Sequence, residues 1–70
     1  MHLDIDGIRW RRDGAVWRTD DLGDGLMLTV ERDGSRWLVM LTSDIGSDEW
    51  WLPSMSLHEA LCEAFLMALE

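Results

Sequence analysis

The sequence predicts a small α+β fold in which an antiparallel β-meander of three to five strands packs against one C-terminal α-helix. The first half is punctuated by Asp-Gly pairs at positions 6–7, 13–14, 24–25 and 33–34. Such pairs between segments of alternating polarity are a strong hairpin signal. Near the C-terminus, apolar residues recur every three or four positions, as on one face of a helix. We expect one domain, residues 1–70, with strands at about 2–12, 15–19, 26–32 and 36–42 and a helix at about 57–69.

The first two Asp-Gly pairs predict short hairpins near the N-terminus. Taking Asp6-Gly7 as a turn pairs Ile5 with Ile8 and Leu3 with Trp10. Taking Asp13-Gly14 as a turn pairs Trp10 with Trp17, so two indole rings would meet across neighbouring strands.

The pair Asp33-Gly34 predicts the longest hairpin and defines the core face of the sheet. With these residues as the turn, the large apolar pairs on one face are Val30 with Trp37, Leu28 with Val39 and Leu26 with Leu41. The opposite face pairs Thr29 with Leu38 and Met27 with Met40. That face is unusually apolar for a surface in contact with water.

Residues 43–49 are predicted to form an acidic loop after this hairpin. Trp50 and Trp51 follow in an extended segment, because Pro53 biases the residue before it away from helical geometry. Adjacent residues of an extended segment point to opposite sides, so one of the two tryptophans is expected to be exposed, and the sequence leaves open which one.

The C-terminal helix has a clear start. Ser56 followed three residues later by Glu59 is a capping box, in which each side chain bonds the other residue's backbone N–H. The apolar arc of this helix is wide because Cys62, Leu66 and Leu69 extend it. The helix therefore lies in a groove or meets another chain. The predicted core comprises Ile8, Trp10, Trp17, Leu28, Val30, Trp37, Val39, Leu41, Leu57, Leu61, Ala64 and Phe65.

Net charge restricts the partners. The chain carries a net charge of −8 and contains no lysine, which argues against direct binding to nucleic acid or to an anionic membrane. Its partners are expected to be basic. A single cysteine excludes an internal disulfide, and no signal peptide or membrane span is recognised, so a cytoplasmic location is expected.

The motifs do not indicate an enzyme, a metal or a cofactor. His2 and His58 are the only histidines and have no partners at ligand or catalytic spacing. Residues 20–31 match several positions of a calcium-binding loop, but Leu22 occupies a ligand position and a strand pattern follows. The thiol of Cys62 lies between Glu59 and Glu63, which are expected to raise its pKa and oppose thiolate chemistry.

Carboxylates are the remaining candidates for a binding site. On turns and strand ends their spacing is comparable to that of successive nucleic-acid phosphates, although an acidic surface can also serve solubility alone. The predicted partner-binding residues are Asp20, Asp21, Asp24, Glu31, Asp33, Asp44, Asp48 and Glu49.

In its size, its acidity and its strand-rich start before the segment 56–60, Ser-Leu-His-Glu-Ala, the chain resembles small acidic proteins of bacteriophages and mobile elements, especially anti-CRISPR inhibitors. Some of these mimic nucleic acid. The resemblance implies stoichiometric inhibition of a basic host protein or nucleoprotein complex, such as a CRISPR–Cas effector, in the host cytoplasm and without catalysis or cofactor. The start of the helix is also similar to that of HicB-type antitoxins. This second resemblance implies a regulatory subunit that binds a partner through the apolar surface of its helix and sheet. Monomer and homodimer both stay open.

Overall fold

A computed structural model of the chain describes residues 1–19, 22–23 and 25–68. These residues form six strands and one helix: β1 His2–Ile5, β2 Ile8–Asp13, β3 Val16–Thr19, β4 Met27–Asp33, β5 Arg36–Ser43, β6 Gly46–Leu52 and α1 Leu57–Ala68. Every strand pairs antiparallel with the strand before it in the chain, in the order β1-β2-β3-β4-β5-β6. The predicted α+β meander with a C-terminal helix is therefore confirmed, with one strand more than the expected maximum.

The additional strand is β6, which replaces most of the predicted acidic loop at 43–49. Ser47, Asp48 and Glu49 are all exposed, and their weak strand propensity explains why the sequence pattern missed the strand. The strand forms because it pairs with β5 along its whole length and buries Leu52 at its end. An edge strand tolerates exposed charges, which also discourage pairing with another chain.

Two predicted hairpin registers are wrong by two residues. Asp33 pairs with Arg36 and Asp13 with Val16, so the turns are 34–35 and 14–15, one position later than expected. In both turns the first residue is a glycine with positive φ, 64° at Gly34, as in a type II′ turn. Trp17 therefore pairs with Arg12 and not with Trp10.

A shift of two residues keeps every side chain on its predicted face, because side chains alternate with period two. In the corrected register Val30 pairs with Val39, Leu28 with Leu41, and Met27 with Thr42 instead of Met40. The core face is therefore as predicted, although its cross-strand pairs are different.

The first hairpin has the predicted register. Ile5 pairs with Ile8 and Leu3 with Trp10. Asp6 and Gly7 both have positive φ, 52° and 82°, which is the requirement of a type I′ turn. Here the Asp-Gly pair itself forms the two-residue loop.

The core lies between the sheet and α1. Its buried apolar residues are Ile5, Trp10, Trp17, Leu28, Val30, Trp37, Val39, Leu52, Ala60, Leu61 and Ala64. The predicted members Ile8, Leu41, Leu57 and Phe65 are only partly buried and pack around this centre. Two small residues of α1, Ala60 and Ala64, are completely covered, which shows how closely the helix approaches the sheet.

The capping box at the start of α1 is confirmed. The Glu59 N–H donates to Ser56 Oγ at 3.2 Å, and the Ser56 N–H donates to Glu59 Oε1 at 3.3 Å. Just before it, Trp37 Nε1–H donates to the Met55 carbonyl at 3.0 Å. This bond joins the segment entering the helix to β5.

Replacing Ser56 by alanine should lower the free energy of unfolding by about 1 kcal/mol, because the first turn of α1 loses the acceptor for the Glu59 N–H. Urea denaturation followed by circular dichroism measures this loss. The matched control is Ser54→Ala, an exposed position outside the helix. Equal stability of the Ser56→Ala variant and the parent would contradict a stabilising role of the cap.

Candidate functional site

The helix covers one face of the sheet and leaves the other face open. Side chains of this outer face, read across the strands, are His2, Asp4, Arg9, Arg11, Arg18, Met27, Thr29, Glu31, Leu38, Met40, Thr42, Ser47, Glu49 and Trp51. Their alternation with the core residues follows from the strand pleat.

The outer face divides into a basic half and an apolar half. In the basic half, β2 and β3 bring Arg11 opposite Arg18. Arg9 Nε–H donates to Asp4 at 3.1 Å, and Arg18 forms an ion pair with Asp13. These exposed pairs balance the nearby carboxylates, so little negative field remains over β1 to β3.

The apolar half is centred on Trp51, which is 44% exposed and pairs with the half-buried Leu38. The guanidinium of Arg36 lies 3.9 Å from the centre of the Trp51 ring, a cation–π contact. The exposed tryptophan is therefore Trp51. Trp50 packs against the core, and its Nε1–H is buried with no hydrogen-bond partner among the described residues.

The described carboxylates of the predicted partner-binding set do not form a single row. Glu31 and Glu49 share the outer face but lie on β4 and β6, with β5 between them. Asp48 pairs with Leu41 and so points to the helix side. Asp33 pairs with the first residue of β5 and Asp44 directly follows the last, so the two carboxylates lie at opposite ends of the sheet, about 26 Å apart at roughly 3.3 Å per residue. The remaining members, Asp20, Asp21 and Asp24, lie outside the described residues.

Among the described residues, one end of the sheet carries two turns that each contain a carboxylate, Asp6 and Asp44, and we call it the acidic end. It comprises the turn at Asp6-Gly7, the described part of the β3–β4 connection and the turn at Asp44-Ile45. At Gly25 the connection lies against the β5–β6 turn, since a Cβ on Gly25 would be 2.5 Å from Asp44 Oδ1. A cleft of about 390 Å³ opens beside it, lined by Gly23, Leu26, Ser43, Asp44 and Ile45.

The β3–β4 connection has a defined shape at this end. The Leu22 N–H donates to the Leu26 carbonyl at 2.7 Å, and the Leu26 N–H donates to the Gly23 carbonyl at 2.9 Å. Gly25, inside this loop, has φ of 73°, a conformation that a side chain disfavours. Hydrogen bonds among Leu22, Gly23 and Leu26 therefore fix the backbone of the described residues of this loop. Gly25 lies against the Asp44 side chain.

The opposite end of the sheet was missed by the sequence reading. Two hairpin tips lie there, and both have the sequence Arg-Asp-Gly-x-x-Trp, at 12–17 and 32–37. Between them and the start of α1 is a cleft of about 400 Å³, the tip cleft, lined by Arg12, Ala15, Trp17, Arg32, Trp37 and Leu57. The repeated hexapeptide was the signal in the sequence that could have revealed it.

The described residues offer no metal site and no activated nucleophile. They contain no group of three or more His, Cys, Asp or Glu side chains placed to hold a metal ion. Burial raises the pKa of the Cys62 thiol, and Asp6 and Glu63 raise it further. Glu63 therefore acts as expected, whereas the second carboxylate is Asp6 from the β1–β2 turn and not Glu59. No helix in this part of the chain has the length and apolarity needed to cross a membrane.

Comparison with protein-family models, with curated proteins and with solved structures finds no match for the chain. A function must therefore be argued from the chemistry of the surfaces described above.

Proposed function

We propose that the protein is a non-catalytic binding protein whose carboxylates occupy the basic, nucleic-acid-binding groove of a host protein or nucleoprotein complex. The observation that carries this proposal is the acidic end, where the turns of Asp6 and Asp44 lie at the same edge of the sheet and Gly25 lies against the Asp44 side chain. The resemblance to anti-CRISPR inhibitors makes a CRISPR–Cas effector the candidate target. Neither direct contact with nucleic acid nor a cofactor is part of this proposal.

Electrostatics supports a basic target. The net charge of −8 on 70 residues attracts a positively charged groove and accelerates association with it. The arginines lie mainly elsewhere: Arg12 and Arg32 line the tip cleft at the other end of the sheet. The charges of Arg12 and Arg32 offset negative charge at the hairpin tips, so we expect the acidic end to enter the groove first.

Removing charge from the predicted partner-binding residues should weaken inhibition at least tenfold, about 1.4 kcal/mol. One variant combines Asp20→Asn, Asp21→Asn and Asp24→Asn, and a second combines Asp44→Asn, Asp48→Asn and Glu49→Gln. Each substitution removes a charge and keeps the size of the side chain. The measurement is competition between the protein and labelled target DNA or RNA for purified CRISPR–Cas effector complexes.

The matched control removes carboxylates that already have arginine partners, Asp4 and Asp13. The Asp4→Asn, Asp13→Asn variant should compete nearly as well as the parent. Parental competition by both triple variants would show that the acidity serves solubility. If the parent itself does not compete with nucleic acid on any effector tested, the proposed class of target is wrong.

A second candidate function follows from the apolar half of the outer face. Trp51 makes a cation–π contact with Arg36 and pairs with Leu38. An exposed tryptophan with such neighbours is typical of the residues that anchor protein–protein interfaces. An antitoxin-like or regulatory subunit would use this surface to bind a partner. Salt distinguishes the two candidates, because rising ionic strength screens exposed charges but hardly changes apolar docking. Sedimentation at high micromolar concentration tests whether the partner is a second copy of the chain.

A further inference from the structure

The two hairpin tips hold their arginines in the same way. Arg12 pairs with Trp17 across β2 and β3, and Arg32 pairs with Trp37 across β4 and β5. In each tip the arginine Nε–H donates to the glycine carbonyl two residues later, at 3.0 Å for Gly14 and 3.1 Å for Gly34. The bond restrains the guanidinium at the tip and leaves its Nη groups as further donors.

Among the described residues, no carboxylate forms an ion pair with either of these guanidiniums. Asp13 and Asp33 follow them directly in the chain, but alternation along a strand sends their side chains to the outer face, where Asp13 pairs with Arg18. Within residues 1–19, 22–23 and 25–68, neither Arg12 nor Arg32 forms an ion pair. A protein with a net charge of −8 thus keeps two positive groups without a carboxylate partner beside one cleft.

The tip cleft combines this charge with an apolar lining. Trp17 and Trp37 are 8% and 6% exposed, so only a small part of each indole ring reaches the cleft. The Arg32 guanidinium lies 5.5 Å from the centre of the Trp37 ring, which keeps it over an aromatic surface. Leu57 and Ala15 complete the wall. A volume of about 400 Å³ accommodates one side chain with its neighbours.

We propose that the tip cleft binds an acidic side chain flanked by apolar residues, presented by a peptide segment of a partner protein. A planar guanidinium matches a carboxylate through two parallel N–H donors, and the restrained geometry reduces the entropy lost on binding. The exposed parts of the two indole rings and Leu57 contact the apolar residues that flank the acidic side chain of the peptide. Nucleic acid and other polyanions are excluded because the overall negative charge repels them. The cleft lies at the opposite end of the sheet from the acidic end, so this site is independent of the proposed function.

A pair of peptides differing in one charge tests the proposal on the unmodified protein. The probes are acetyl-Leu-Glu-Leu-amide and acetyl-Leu-Gln-Leu-amide, titrated to millimolar concentration against ¹⁵N-labelled protein. The glutamate peptide should shift the indole N–H signals of Trp17 and Trp37, and the glutamine peptide should bind at least tenfold more weakly. Equal binding of the two peptides, or no shift with either, would overturn the proposal.

Arginine variants locate the site. The double variant Arg12→Gln, Arg32→Gln should weaken binding of the glutamate peptide at least tenfold, whereas Arg9→Gln, Arg18→Gln removes the same charge from the outer face and should change it less than twofold. Equal losses in the two variants would show that only overall charge matters. A third probe, acetyl-Leu-phosphoserine-Leu-amide, separates the sources of the oxyanion: weaker binding than the glutamate peptide supports a carboxylate site, and equal or tighter binding contradicts it.

Discussion

Replacing Trp37 by alanine should lower the free energy of unfolding by about 3–5 kcal/mol. The side chain is 6% exposed and belongs to the buried core cluster, so its removal leaves a cavity beside β5. The substitution also removes the donor to the Met55 carbonyl, which lies just before the helix. Because small domains are stable by only about 5–15 kcal/mol, the variant should unfold at much lower urea concentration, as monitored by circular dichroism.

The matched control is Trp51→Ala, which deletes the same side chain from the outer face. Trp51 is 44% exposed, so the loss should stay near or below 1 kcal/mol. Trp37→Phe removes the N–H donor but only part of the ring volume, so it should cost less than Trp37→Ala. A loss below about 1 kcal/mol for Trp37→Ala would mean that Trp37 does not pack in the core.

Replacing Thr19 by valine should lower the free energy of unfolding by about 1–3 kcal/mol. Thr19 is 1% exposed, and its Oγ1 accepts the Leu28 N–H at 3.0 Å. Valine has nearly the same shape but no acceptor, so it leaves a buried backbone N–H unsatisfied. Equilibrium urea denaturation measures the loss. Thr29→Val on the outer face is the control and should change stability by less than about 0.5 kcal/mol; equal effects at both positions would contradict a specific role of the Thr19 hydroxyl.

Thr19 also shows how far local patterns predict this fold. Alternating hydrophobicity assigned Leu28, Val30 and Val39 to the correct face, because the face depends only on the parity of the register. The choice between Asp-Gly and Gly-Ser as the two turn residues depends on backbone angles that the sequence pattern does not determine. The hydrogen bond of Thr19 joins β3 to the start of β4 across the connection, so no local motif indicated it.

The candidate sites were predicted less well than the fold, because they depend on contacts between distant segments. The contact between Gly25 and Asp44 is made by residues far apart in the chain. Spacing along the sequence does not predict which carboxylates share a surface, since Asp48 and Glu49 are neighbours that face opposite sides of β6. The tip cleft requires the turns of two hairpins to lie beside the start of α1, a contact between distant segments that no local pattern of residues indicates.

The sequential order of the meander also bears on how quickly the chain folds. Each strand pairs only with its neighbours in the chain, so every strand pairing closes a short loop and the contact order of the sheet is low. Low contact order correlates with rapid folding among small domains. The longest loop to close joins α1 to β1 at the far end of the sheet. We expect the hairpins to form early and the docking of the helix, which seals Ala60 and Ala64 against the strands, to complete the folding reaction.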